Sequence, residues 1–195
     1  MESDSCGVRP ECPAWRNFRT GDPEALAALF NEHYDSLYHY GVKLFPDEEL
    51  VKDCVQNLFV KIWTSRSRLM AVQSVRPYLL KALRRHIGDQ VVAMRRRRTF
   101  QEEGVDGFQV MFSHEDFLIA NQISAEQSLI LSESLNNLSA RQREAIFLKF
   151  YEGLDYEKIA EVMALNIQSV RNLIHHGLKN INHHFDSRPS PVFIK

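Results

Sequence analysis

Apolar residues recur at helical spacing through several stretches of the chain, and polar cap residues mark where each stretch begins. The clearest pattern lies between Leu138 and Ile181. Ser139 precedes an apolar-periodic run and has Gln142 three residues on, the spacing of a capping box that satisfies orphan amide donors. Gly153 stops that helix, Asp155 caps a second in which Ile159, Ala160 and Met163 fall at helical spacing, and Ala164, Leu165 and Asn166 form a short turn. Asn166 caps a third helix. Its positions Val170, Leu173, Ile174, Gly177, Leu178 and Ile181 are expected inward, leaving Gln168, Ser169, Arg171, Asn172, His175, His176 and Lys179 toward solvent. The whole reads as a helix followed by a helix-turn-helix. Its outward face is rich in hydrogen-bond donors and almost free of acids. A solvated face on an ordinary bundle is the bland alternative, but caps, turn and face agree on a helix that enters a B-form major groove.

The N-terminal half is helical by the same reasoning. Asp22 caps a helix with Pro23 at its first position, and Leu26, Leu29, Phe30, Tyr34, Leu37, Tyr38 and Val42 continue the stripe. At this spacing Phe30, Tyr34, Tyr38 and Tyr40 read as core rather than as a stacking platform. Pro46 and Asp47 open a second helix, acidic in its first turn as the helix dipole favours, with Leu50, Val51, Cys54, Leu58 and Ile62 as its buried stripe. Asp53, Gln56, Asn57 and Val60 lie on another side, a row of mixed polarity that by itself reads as solvent-exposed surface. From Pro77 a further helix carries Lys81, Arg84, Arg85, Arg95, Arg96, Arg97 and Arg98, enough cations to neutralise several phosphates, with Tyr78 placed to stack on an unpaired base. The Ser-, Arg- and Gln-rich loop from Thr64 to Val75 is either a plain connection or one that admits a flipped base. Residues 1–20 show no periodicity and read as a weakly ordered lead.

Composition alone would not point to nucleic acid, since the 195 residues carry a formal net charge of -1. The distribution changes that picture. From Lys61 to Arg98 the only acid is Asp89, whereas from Thr99 to Asn137 there is no Lys or Arg but Glu102, Glu103, Asp106, Glu115, Asp116, Glu126 and Glu133. The second segment, with Gly104 and Gly107, reads as an acidic linker. Cys6, Cys12 and Cys54 form neither an even framework nor a CxxC pair, which favours free thiols in a reducing, cytoplasmic setting. No apolar run approaches the ~20 residues of a membrane span, and no signal-peptide core is expected at the N-terminus. His175-His176 and His183-His184 lack spaced Cys or Glu partners, so no metal and no cofactor is expected.

Asp53-x-Val55-Gln56-x-x-Phe59-x-x-x-Trp63, followed by a basic helix and later by the helix-turn-helix, resembles bacterial RNA polymerase sigma factors of the extracytoplasmic-function group. The resemblance covers residues 20–98 and 126–185. It implies an all-α protein of two small helical domains: a lead over 1–20, a first domain over 21–98, a linker over 99–125, a C-terminal domain over 126–185 and a tail over 186–195. It also implies a non-catalytic initiation factor whose partners are core RNA polymerase, promoter DNA and an anti-sigma factor, without membrane insertion. By the same resemblance Asp53, Gln56, Asn57 and Phe59 dock on the polymerase. The helix from Pro77 then reads the -10 element with Tyr78, Lys81, Arg84, Arg85 and the four arginines 95–98, and the helix from Asn166 reads the -35 element. Three positions depart from the family pattern: Asn57 replaces a usual acid, Tyr78 a common Trp, and Arg85 a frequent Asn. The rival reading is an autonomous dimeric helix-turn-helix regulator, which has no need of the row from Asp53 to Trp63. An enzyme reading stands behind both, because no carboxylate pair or nucleophile-base set can be assembled.

Overall fold

The computed structural model describes residues 11–97 and 125–186, and within them only helices and their connections occur. They are α1 (Pro13–Thr20), α2 (Pro23–Leu44), α3 (Glu48–Thr64), a 3-10 turn (Arg66–Arg68), α4 (Val75–Arg97), α5 (Ala125–Asn136), α6 (Ala140–Ile146), α7 (Tyr156–Met163) and α8 (Ile167–Asp186). A π-helical turn, Phe147–Tyr151, continues α6 toward Gly153, which takes a φ of 67°. The expected linker lies outside the described residues, apart from Ala125.

The caps act where their side chains predict. Asp22 accepts from the Glu24 amide at 2.9 Å, Asp47 from Leu50 at 3.1 Å, Asp155 from Lys158 at 2.8 Å and Asn166 from Ser169 at 2.7 Å. Ser139 and Gln142 form the reciprocal capping box. Each such cap contributes about 1 kcal/mol to fixing where its helix starts.

α1 corrects the expectation of a weakly ordered lead, at least from residue 13 onward. Pro13 stands at the start of this helix, Gly21 ends it in the left-handed conformation at φ 93°, and Trp15 and Phe18 are fully buried. Two turns offer only one i,i+3 apolar pair, too short a run for periodicity to register in the sequence. The helix is fastened at its back: the Trp15 indole N–H donates to the Met70 carbonyl at 3.0 Å, and the Cys12 amide to the Val72 carbonyl at 3.2 Å.

Helices α2, α3 and α4 pack against one another, α1 lies on α2 and the 3-10 turn, and α5, α6 and α7 surround α8. Leu29, Leu37, Tyr40, Val51, Val55, Leu79, Leu83 and Ile87 make the first core; Leu148, Ile159, Val162, Val170 and Ile174 make the second. α4 also packs on α7, so the buried residues join into one continuous cluster. At the α2–α3 crossing the helices come so close that a Cβ on Gly41 would lie 2.5 Å from Val51 Cγ1. On α8 the seam is Val170, Ile174, Gly177 and Ile181; Leu178, expected inward, sits one step past it and is 37% exposed.

Candidate polymerase and promoter interface

The row on α3 divides in two. Asp53, Gln56, Asn57 and Val60 are exposed on one face of the helix, as an i, i+3, i+4, i+7 set must be. Phe59 does not belong to it. Its side chain is 5% exposed and meets Phe30 edge-on at 5.0 Å, because position 59 aligns with Val55 and Ile62 on the buried seam. The expectation that Phe59 presents itself to polymerase is therefore corrected: it fixes α3 against α2.

α4 likewise separates cations that the sequence groups together. Lys81 and Arg85 are exposed, and Arg95, Arg96 and Arg97 fall in its last turn, while Arg98 lies outside the described residues. Tyr78 is half-buried with its ring edge-on to Trp15 at 5.1 Å, and burial raises the pKa of its phenol. Arg84 is not free in this structure. Its Nε and Nη2 donate to Glu144 Oε1 and Oε2 at 2.6 and 3.3 Å, and the Tyr40 hydroxyl donates to the same Oε1 at 2.7 Å. Burial opposes the Arg84 charge, but the Glu144 carboxylate outweighs it and the guanidinium pKa is raised. Burial, reinforced by Glu144, also lifts the Tyr40 phenol well above its ordinary value. Two turns earlier on α4, Arg76 pairs with Glu152 Oε2, which accepts from Ser36 Oγ at 2.8 Å as well.

Glu144 and Glu152 are 1% and 3% exposed, and the sequence reading assigned neither of them. The signal was present: Glu144 occupies a core-facing position of α6, flanked by the buried Ala145, Ile146, Phe147 and Leu148, and a charge there requires a partner.

The helix-turn-helix presents the expected face. Gln168, Arg171, Asn172, His175, His176 and Lys179 are exposed, and Ser169 is half-buried at the cap. Gln168 Nε2 donates to Asn172 Oδ1 at 3.0 Å, pre-ordering two amide side chains one turn apart. The Arg171 guanidinium lies 5.6 Å from the centre of the Tyr156 ring on α7, which steadies it without consuming its hydrogen-bond donors. No helix among the described residues is long and apolar enough to cross a membrane.

Two family models match the chain, Sigma-70 region 2 over residues 29–99 and Sigma-70 region 4 over residues 128–181, together well over half of it. The chain belongs to the extracytoplasmic-function sigma factors. It is 23% identical over 161 residues to the sigma factor SigK of Mycobacterium sp. (strain JLS), covering 82% of each chain. It is 19% identical over 167 residues to SigX of Bacillus subtilis (strain 168), covering 84% of each. Its fold is similar to that of the sigma factor RpoE solved in complex with the anti-sigma factor NepR from Bartonella quintana, with a TM-score of 0.63 and 17% identity over 85% of this chain and 99% of that one. CnrH in complex with the cytosolic domain of CnrY gives a TM-score of 0.60 and 18% identity, over 90% of this chain and 97% of that one. This sigma factor accordingly binds core RNA polymerase and promoter DNA and directs promoter-specific initiation. Sigma factors as a group are non-catalytic initiation factors.

Proposed function

We propose that this sigma factor engages core polymerase through Asp53, Gln56 and Asn57 of α3, and contacts the -10 element with Tyr78, Lys81, Arg84, Arg85 and the arginines 95–98. Gln168, Ser169, Arg171, Asn172, His175, His176 and Lys179 of α8 face the -35 element. The protein acts in the cytoplasm and carries no catalytic site. The domains follow the expected boundaries 21–98 and 126–185, with α1 (Pro13–Thr20) added to the first and 99–125 as linker. The observation that carries the reading is the exposed row on α3. Three hydrogen-bonding side chains and the 61% exposed Val60 stand on one helix face that no described element covers, as a docking face needs and an autonomous repressor does not.

On this reading the chain must open to work. Elements centred about 25 base pairs apart are separated by about 85 Å of B-form duplex at ~3.4 Å per pair. Packed helices lie only about 8–10 Å apart. With α4 packed on α7 and α7 on α8, one closed molecule cannot address both elements at once. An anti-sigma factor fits as a partner that holds the closed form, and the sigma factor RpoE named above was captured with one.

The test is Asp53→Ala with Gln56→Ala, measured by association with purified core polymerase. Binding weakens while helicity is unchanged, because both residues point outward. Wild-type affinity in the double variant removes α3 from the polymerase interface.

A further inference from the structure

The contacts that close this molecule have an unusual chemistry. Where two domains meet, apolar side chains ordinarily do the work and charges stay at the rim. Here each of two carboxylates from the C-terminal half inserts into a cluster of donors on the N-terminal half. Glu144 takes Arg84 and Tyr40; Glu152 takes Arg76 and Ser36. Arg76 also donates to Ser36 Oγ at 3.3 Å, so the second cluster is connected within itself. Arg76 and Arg84 are eight residues apart on one helix, about 12 Å along its axis at ~1.5 Å per residue.

Such an array recognises anions in general. Arginine presents only donors, the Ser36 and Tyr40 hydroxyls each turn their one O–H toward the bound group, and Arg84 meets its carboxylate with two nitrogens, the fork that also suits phosphate. The surrounding sequence selects the anion. From residue 61 to residue 98 there is one acid, and Lys81 and Arg85 on the same helix are exposed and available to extend the contact. That field favours a polyanion over a single acidic side chain, and a strand running along α4 would bring phosphates past both clusters.

The closed state is also built to come apart. Glu152 Oε1 is buried without a hydrogen-bond partner among the described residues. A carboxylate oxygen buried without a donor is costly, and a charge held out of water gains little net from its ion pair, so opening into water recovers much of what it breaks.

We propose that Ser36, Tyr40, Arg76 and Arg84 form a phosphate-binding face for promoter DNA, and that Glu144 and Glu152 occupy this face as internal anions when the molecule is closed. The inference rests on the sigma-factor reading above and deepens it. Arg84 was already assigned to DNA; Ser36, Tyr40 and Arg76 are added, and the two glutamates become their competitor. Closure then shields the promoter-reading helix, and DNA and the C-terminal half exclude each other from it.

The experiment uses the full chain carrying Glu144→Gln and Glu152→Gln. These keep size and shape, remove both charges and leave one acceptor oxygen where each carboxylate has two. Fluorescence anisotropy follows binding to a labelled mixed-sequence single strand of about 20 nucleotides over a range of salt, since phosphate contact needs no particular sequence. The double variant binds at least tenfold more tightly than the parent, and its log-log salt slope steepens by about 0.7 for each phosphate gained. Adding Arg76→Ala to the double variant cancels most of the gain. In the parent, saturating oligonucleotide accelerates hydrogen exchange of the amides of residues 144–148 as the interface opens. Unchanged affinity in a helical double variant overturns the proposal, as does a gain that Arg76→Ala leaves intact, or stronger binding to poly-glutamate than to the oligonucleotide. If the double variant loses helicity, the parent decides: interface amides that stay protected at saturation overturn it too. Transcription by the parent with core polymerase separates the two readings. A parent that initiates while these tests fail sinks only this inference, and a parent that binds no core sinks the function beneath it.

Discussion

Replacing Tyr40 by Phe removes one hydroxyl from the centre of the closed interface and little else. The ring keeps its place, stacked on Phe147 with centroids 6.1 Å apart, and the residue is 0% exposed, so no solvent-facing contact changes. What is lost is the 2.7 Å hydrogen bond to Glu144 Oε1. Hydrogen bonds to charged groups contribute about 1.5–3 kcal/mol, and because Arg84 still serves the same oxygen, a loss near 1.5–2 kcal/mol is expected. Against a total of about 5–15 kcal/mol this is a large fraction, and at ~2–4 °C per kcal/mol for a chain of this size the melting temperature falls by about 3–8 °C. Urea unfolding followed by circular dichroism measures it, with a lower midpoint at an unchanged slope. A loss below about 0.5 kcal/mol would mean that the Tyr40 hydroxyl does not serve Glu144 in solution, and this contact between the two halves would be refuted.

Trp15→Phe removes the indole donor to Met70 while keeping an aromatic ring; a stability loss of about 0.5–1.5 kcal/mol is expected, and wild-type stability would show that α1 is not fastened to the loop it backs. Cys54, 2% exposed and with its thiol pushed up to about 11 by burial first and Asp53 second, resists iodoacetamide at pH 8 until the protein unfolds, and rapid alkylation of the native protein contradicts this. Burial lowers the imidazole pKa of both His33 and His86 from 6.5, so between that value and the lowered ones the unfolded chain binds more protons; stability is complete above 6.5 and falls as pH drops through the folded values. A double His→Gln variant at these two positions should flatten that decline in urea titrations, and an unaltered pH profile would clear the histidines of it. Arg171→Ala should relax one position of the upstream element, costing about 1–3 kcal/mol of discrimination there; transcription from single-base variants that falls uniformly would make Arg171 a phosphate contact.

Local signals in the sequence identified most helix starts because a cap needs only a few neighbouring residues. Asp22, Asp47, Ser139, Asp155 and Asn166 each name their helix, and each bonds the amide expected of it. The exposed faces of α3 and α8 were legible for the same reason: the 3.6-residue period sorts Asp53, Gln56 and Asn57 from Val51 and Cys54 without any tertiary information. Phe59 was misassigned because a family motif marks a position without saying which way it points, and the period, applied strictly, places it with Val55 and Ile62. α1 escaped because two turns show no repeat. Least legible were Glu144 and Glu152, whose partners Tyr40 and Ser36 lie 104 and 116 residues away; no local rule connects such pairs, although a charge on the buried face of α6 announces that some partner exists.

The most direct test of the central claim is reconstituted transcription with purified core polymerase, this chain and a library of promoter fragments. A sigma factor of this kind gives initiation that depends on the chain, from templates that share two elements at fixed spacing, with little duplex binding by the chain alone at physiological salt. Tight, sequence-specific, dimeric binding by the isolated protein, with no initiation from any template, would contradict it.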